Sequence, residues 1–181
     1  ALLARQWDFD FGDESLLAEF GKAVKDGLQV GKASYRVVIV PSSITLRATT
    51  LDLLESFAAK GGRVIFIGQV PTRMEGKTSA HIGQFLKQAE LLEEKKLAKL
   101  FPKLEKSIDR PFRLRTQSQG NIYACERLLK DGRKLWFFAN LAREEVKTAL
   151  AIKSAGSLQQ WDLVTGDIND YPVSKTGAGL Q

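Results

Sequence analysis

The chain has 181 residues, 44% of them hydrophobic, enough to bury one substantial core or two small ones, because single domains run to roughly 100–200 residues. Its net charge of +6 is unevenly placed: Lys87 to Arg115 holds nine Lys/Arg against five Asp/Glu, whereas Asp8 to Asp26 is acidic. The single cysteine, Cys125, excludes an internal disulfide and a Cys-rich zinc site, and no run approaches the roughly 18 consecutive apolar residues of a membrane span.

A first helix is expected from Asp13, carrying Leu16, Leu17, Phe20 and Val24 and stopping at Gly27. Tyr35 to Pro41 and Arg63 to Gly68 are near-continuous apolar runs, the pattern of strands buried on both faces in a parallel sheet. Between them Leu51, Leu54, Phe57 and Ala58 share one helical stripe, with Thr49 as the expected N-cap and Lys60-Gly61-Gly62 as the stop. Residues 35–68 therefore form one βαβ unit, with a further short strand expected near Trp7 to Phe11. A long helix is expected from about Thr78 to Phe101, with Ile82, Phe85, Leu86, Ala89, Leu92 and Leu100 on its apolar side and Pro102 ending it.

Past Pro111 the pattern becomes antiparallel. Asn121 to Leu129 and Arg133 to Ala139 flank Asp131-Gly132, which fits a type I′ hairpin turn. Val146 to Lys153 alternates like a half-exposed strand, Ser157 to Leu163 reads as another, Thr165-Gly166 as a turn and Ser174 to Gln181 as a loose end. The fold class is α/β over residues 1–110 followed by antiparallel β over 111–181. Two parallel strands and an unclosed β segment are too few for self-contained sheets, and the chain opens in mid-pattern at Leu2-Leu3-Ala4-Arg5, so a fragment of a larger protein is expected.

Candidate chemistry divides into patterns that fail and one place that remains. Gly76-Lys77-Thr78 stands between a strand and a helix, but the phosphate loop G-x-x-x-x-G-K-[ST] needs glycine where this chain has Pro71, so an ordinary loop is expected. Cys125 lies inside a strand and His81 at a helix start, which reads as a structural thiol and a surface or capping histidine. Asp8, Asp10, Asp13 and Glu14 surround a helix start, where acids complement the macrodipole. Trp7 and Trp136 read as core, while Trp161 beside Asp162 is kept as a sugar-stacking candidate. The lysines of the basic stretch interleave with Glu90, Glu93, Glu94 and Glu105 without aromatic partners, so neither nucleic acid nor membrane is expected as a partner. Ligands of open parallel sheets bind beyond the carboxyl ends of the strands, which makes Ser42, Ser43, Gln69 and Arg73 the binding candidates. No catalytic residue, metal or cofactor is expected.

These residues resemble a known family. Tyr35-Arg36-Val37-Val38-Ile39-Val40-Pro41, then Leu51, Leu54 and Phe57, then Gly61 to Pro71, resembles the glutamine-amidotransferase-like, flavodoxin-like domain of large bacterial glycoside hydrolases. Trp7-Asp8-Phe9 with Asp13 to Leu17 is similar to the stretch before that domain. Glu126-Arg127, Trp136 to Leu141 and Trp161 to Asp167 are similar to the β segment that follows it in α-L-rhamnosidase-like enzymes of glycoside hydrolase family 106. Arg36 replaces the aspartate common after the tyrosine, and Gln69-Val70-Pro71 lacks the cysteine elbow of true amidotransferases. The resemblance implies a non-catalytic accessory segment of a secreted or periplasmic enzyme, structural or shaping the sugar site, its partner being the catalytic barrel of the same polypeptide. A stand-alone small-molecule or carbohydrate-binding module is the alternative, and an enzyme using Cys125 or Gly76-Lys77-Thr78 a third.

Overall fold

The computed structural model describes residues 1–25, 27–115, 121–153, 156–176 and 179–180, which form two compact units, Phe11–Asp109 and Ala1–Asp10 with Arg110–Gln181. Among the described residues the chain is mixed α/β, with one small all-parallel sheet, one small mixed sheet and several separate antiparallel ones.

In the unit Phe11–Asp109, Asp13 caps α1 (Glu14–Phe20), accepting hydrogen bonds from the Ser15 and Leu16 amides at 2.8 and 3.1 Å. These amides, Leu16 first, hold the Asp13 carboxyl below its ordinary range, so it stays ionised at the positive end of the helix. The helix does not continue to Gly27. It stops at Gly21, and the chain folds into an antiparallel meander of β1 (Gly21–Val24), β2 (Gly27–Val30) and β3 (Ala33–Tyr35). The reason is burial: Ala23 and Leu28 enter the main core, which a single helical stripe would not allow for both. Asp26, the end of the acidic stretch, lies outside the described residues.

The expected βαβ unit is present. β4 (Val37–Val40) pairs in parallel with β6 (Arg63–Ile67), and α2 (Ala48–Ala59) connects them, after the short β5 (Thr45–Leu46). Leu51, Leu54 and Phe57 of α2 are buried with Val64 and Phe66, while Ile65, pointing to the opposite face, is also fully buried. Truncating an aromatic such as Phe57 in such a place costs about 3–5 kcal/mol. Thr49 is not the cap. The cap position is Arg47, two residues earlier, and the carboxylates of Glu14 and Glu75 accept from the Arg47 and Ala48 amides, each at 3.0 Å, replacing a local cap with tertiary partners.

The largest departure concerns residues 78–101, which do not form one long helix. β7 (Arg73–Met74) and β8 (Lys77–Thr78) make a hairpin beside β5; α3 (Ala80–Leu86) follows; then β9 (Glu90–Leu92) joins the parallel sheet on β6; and after a 3-10 segment at Glu94–Lys99 comes α4 (Leu100–Ser107). The apolar pattern suits a helix, but extending Glu90–Leu92 satisfies the backbone groups along the edge of β6 and places Glu90 beside Arg63. Pro102 stands in the first turn of α4 rather than at an end, where its missing N–H removes no helical bond. The stretch Trp7 to Phe11 forms no strand.

Arg63 and Glu90 are the first residues of their strands, and they pair at 2.5 Å; Lys103 of α4 reaches the other Glu90 oxygen at 2.5 Å. Arg63 also donates to the Lys103 carbonyl and the Ser107 hydroxyl, each at 2.6 Å. The Arg63 hydrogen bond, ahead of the one from Lys103, holds the Glu90 carboxyl below its ordinary value.

In the other unit, β10 (Phe112–Arg115), β11 (Ile122–Leu128), β12 (Lys134–Asn140), β13 (Ala149–Ile152), β14 (Leu158–Trp161), β15 (Ile168–Tyr171), β16 (Lys175–Thr176) and β17 (Gly179–Leu180) form three antiparallel sheets, ordered β10-β13-β17-β16, β11-β12 and β14-β15. A small core of Phe112, Ala124 and Ile152 is flanked by Trp136, Phe138, Leu150 and Leu158. The β11–β12 turn is not type I′, since of its two expected left-handed residues only Gly132, at φ 84°, has positive φ. The Leu129 amide bonds the Arg133 carbonyl and the Gly132 amide the Leu129 carbonyl, a three-residue loop with glycine at the left-handed position. Val146 to Thr148 fall outside β13, and the chain end is not loose, because β17 pairs with both β13 and β16; Gly177, Ala178 and Gln181 lie outside the described residues. The N-terminal segment is held by Arg110, which donates to the Arg5 and Gln6 carbonyls at 2.9 and 3.2 Å and stands 4.9 Å over the buried Trp7 ring.

Two predictions follow from these anchors. A group whose folded pKa is lowered stabilises the fold above its ordinary value, 4.5 for Glu90, and loses that contribution as pH falls through the folded value. Glu90→Gln should therefore cost about 1 kcal/mol at neutral pH and reduce the acid-side loss of stability, read by thermal melts across pH; equal melts at neutral pH would contradict this. All three tryptophans, Trp7, Trp136 and Trp161, belong to the second unit, so their fluorescence reports its unfolding alone. Arg110→Ala should shift the urea midpoint of that fluorescence by about 1–2 kcal/mol equivalent.

Candidate functional site

The carboxyl ends of β4, β6 and β9 point the same way, because the three strands are parallel. The residues that follow them line an open cleft of about 610 Å³: Ser42 after β4, Gly68 and Gln69 after β6, and Glu93, Glu94 and Lys95 after β9. The three loops are stitched together. Ser42 Oγ donates to Glu94 Oε1 at 2.8 Å and accepts from the Gln69 amide at 3.1 Å; the Ser43 amide donates to the Gln69 carbonyl at 3.1 Å; the Gly68 amide, donating to the Leu92 carbonyl at 2.9 Å, completes the β6–β9 ladder beneath them.

Gly68 makes this closeness possible. Its φ of 78° is the left-handed conformation, and a Cβ there would lie 2.2 Å from Ser42 Oγ and 2.7 Å from Glu94 Oε1. Glu93 is paired with Lys95 at 3.1 Å and with Lys96, and the Lys96 bond, ahead of that from Lys95, keeps its carboxyl below the ordinary range. The cleft thus presents one hydroxyl, two carboxylates, one amide and one ammonium, with one more negative than positive lining charge.

The expected candidates divide. Ser42 and Gln69 line the cleft. Ser43 stands behind it, its backbone in the loop-to-loop bond and its Oγ buried without a hydrogen-bond partner. Arg73 is an exposed residue of β7, paired to Thr45 of β5 and Thr78 of β8, and does not line the cleft. Trp161 belongs to the other unit, half-exposed at the end of β14. Glu93, Glu94 and Lys95 were missed because the helical pattern placed them on a solvated face. The usable signal was the adjacent pair Leu91-Leu92 followed by three charged residues, the same run-then-polar transition as at Val40-Pro41-Ser42.

The remaining candidates have structural partners. Lys77 pairs with Met74 across the turn, and the Gly76 amide is taken by Thr45 Oγ1 at 3.1 Å. His81 Nε2 meets Glu55 Oε1 at 2.8 Å, and Cys125, in β11, belongs to the other unit. Asp8 accepts from the Glu126 amide at 3.2 Å, Glu14 binds the start of α2, and Trp136 Nε1 donates to Glu126 Oε2 at 2.6 Å. Among the described residues no cluster of three or more His, Cys, Asp or Glu could hold a metal ion, and no helix is long and apolar enough to cross a membrane.

Compared with known protein families, curated proteins and solved structures, the chain matches none. The cleft must therefore be judged on its own chemistry. A serine is made nucleophilic by a neighbouring imidazole or amine, whereas here its hydroxyl points at a carboxylate, which orders it without serving as a strong base. The arrangement accepts and donates hydrogen bonds, and its lining residues include no imidazole.

Gly68→Ala should cost about 1–3 kcal/mol, from the strained φ and the displaced Ser42 and Glu94. Urea unfolding followed by circular dichroism checks it, and a midpoint equal to that of the parent would mean that the loops are not in contact.

Proposed function

We propose that the chain is a non-catalytic accessory segment of a larger bacterial carbohydrate-degrading enzyme, its α/β unit of the flavodoxin-like, amidotransferase-like kind. The strand-end cleft, on this reading, meets sugar hydroxyls near a catalytic barrel carried elsewhere in the same secreted or periplasmic polypeptide. The observation that supports it most is the cleft itself: carboxylates, an amide and a hydroxyl beyond three parallel strands, the hydroxyl held by a carboxylate and not by an imidazole. Carboxylates and amides are the groups that hydrogen-bond vicinal hydroxyls, and the excess negative charge disfavours phosphate-bearing ligands. The resemblance of the Tyr35–Pro41 and Gly61–Pro71 segments to the amidotransferase-like domain of large bacterial glycoside hydrolases, followed by that of Glu126-Arg127, Trp136–Leu141 and Trp161–Asp167 to the β segment of rhamnosidase-like enzymes, is the second ground for this reading.

Calorimetry on the chain with L-rhamnose, D-galactose and ATP tests the binding part. The expected outcome is weak sugar binding, with Kd of about 1 mM, roughly tenfold weaker in Glu94→Gln, and no heat with ATP. ATP binding without sugar binding would overturn the ligand class. Hydrolysis of nitrophenyl glycosides by the isolated chain, lost in Cys125→Ala, would overturn the non-catalytic reading. Extending the reading frame tests the accessory part, which predicts a barrel-sized region upstream.

A further inference from the structure

Among the described residues, the hairpin β14–β15 sends one side chain to the small core. Leu158 packs against the Phe112, Ala124 and Ile152 cluster, while every residue from 159 to 171 is exposed. Those exposed residues include five large apolar side chains: Trp161, Leu163, Val164, Ile168 and Tyr171, with Val164 at 94% and Leu163 at 75%. A two-stranded ribbon is marginal in water on its own, and among the described residues neither outer edge of this one is paired.

The ribbon is nevertheless built rigidly. Trp161 faces Ile168 across the pair, and Asp162 Oδ1 accepts from the Val164 and Thr165 amides at 2.8 and 2.9 Å. Thr165 Oγ1 donates to Asp167 Oδ2 at 2.8 Å, which fixes the tip. Its charge has one sign: Asp162, Asp167 and Asp170 lie within residues 157–171, and no Lys, Arg or His does.

We infer that this hairpin is a docking element for a cationic polypeptide segment that adds as a strand to its free edge and covers its apolar side chains. Uniform negative charge decides between the occupants. A second copy docking hairpin to hairpin would bring three aspartates against three, and an anionic lipid surface would be repelled likewise. A segment alternating lysine with branched apolar residues satisfies the edge, the apolar groups and the aspartates together.

The test uses the full chain, isotope-labelled, and two ten-residue probes, one alternating Lys and Val, the other Glu and Val. Nuclear magnetic resonance shifts on adding the Lys–Val peptide should saturate and concentrate in residues 158–171. Affinity should fall about tenfold in Asp170→Lys and in Ile168→Ser, exposed positions whose replacement spares the core, and should fall again in high salt. Equal shifts with the Glu–Val peptide, shifts centred elsewhere, or no saturation would overturn the inference. So would sedimentation showing that the unliganded chain dimerises and that Ile168→Ser abolishes the dimer.

Discussion

The approach of Ser42 to Gly68 is the constraint on which the strand-end cleft depends. Parallel pairing brings the ends of β4, β6 and β9 side by side. Here a residue without a side chain turns through the left-handed region, and the serine hydroxyl occupies the volume that a Cβ would fill. From that position it binds the loop after β6 through Gln69 and the loop after β9 through Glu94. One small side chain therefore links three loops distant in sequence, and the polar lining of the cleft is a consequence.

The opposite end of the same sheet is fixed by charge. Arg63 and Glu90 begin their strands and pair there, with Glu90 opposite Ile65 in the register of β9 on β6, and Lys103 and Ser107 fasten α4 to the same pair. Between the two ends lie Val64, Ile65 and Phe66, nearly inaccessible on both faces. The sheet is small, yet its central strand is as buried as that of a larger one. That division of labour leaves the polar residues after β9 available to the cleft.

How much of this can be read in the sequence depends on how many residues carry each signal. β6 is legible because four apolar residues in succession suit a central strand, and α2 because its stripe and its glycine stop agree. β9 is not legible, since three residues embedded in a helical pattern carry too little periodicity to announce a strand. What makes it a strand is tertiary: a free edge on β6 and an arginine for Glu90. With β9 hidden, half of the cleft was hidden too, although Ser42 and Gln69 were found by position alone. In the second unit the hairpin turn was located by Asp131-Gly132, but its type was decided by one residue more in the loop than the dipeptide implies.

If the cleft is a preformed feature of the sheet, its bridging amides must be protected like the strands they extend. Native-state hydrogen exchange measured residue by residue is the direct test, because the Ser43 and Gln69 amides are bonded across loops to the Gln69 carbonyl and the Ser42 hydroxyl rather than along a strand. The account predicts that both exchange as slowly as the amides of Val64 to Phe66. Exchange at the rate of open loops, with the strands still protected, would mean that the three strand ends do not meet and that the cleft is not a built site.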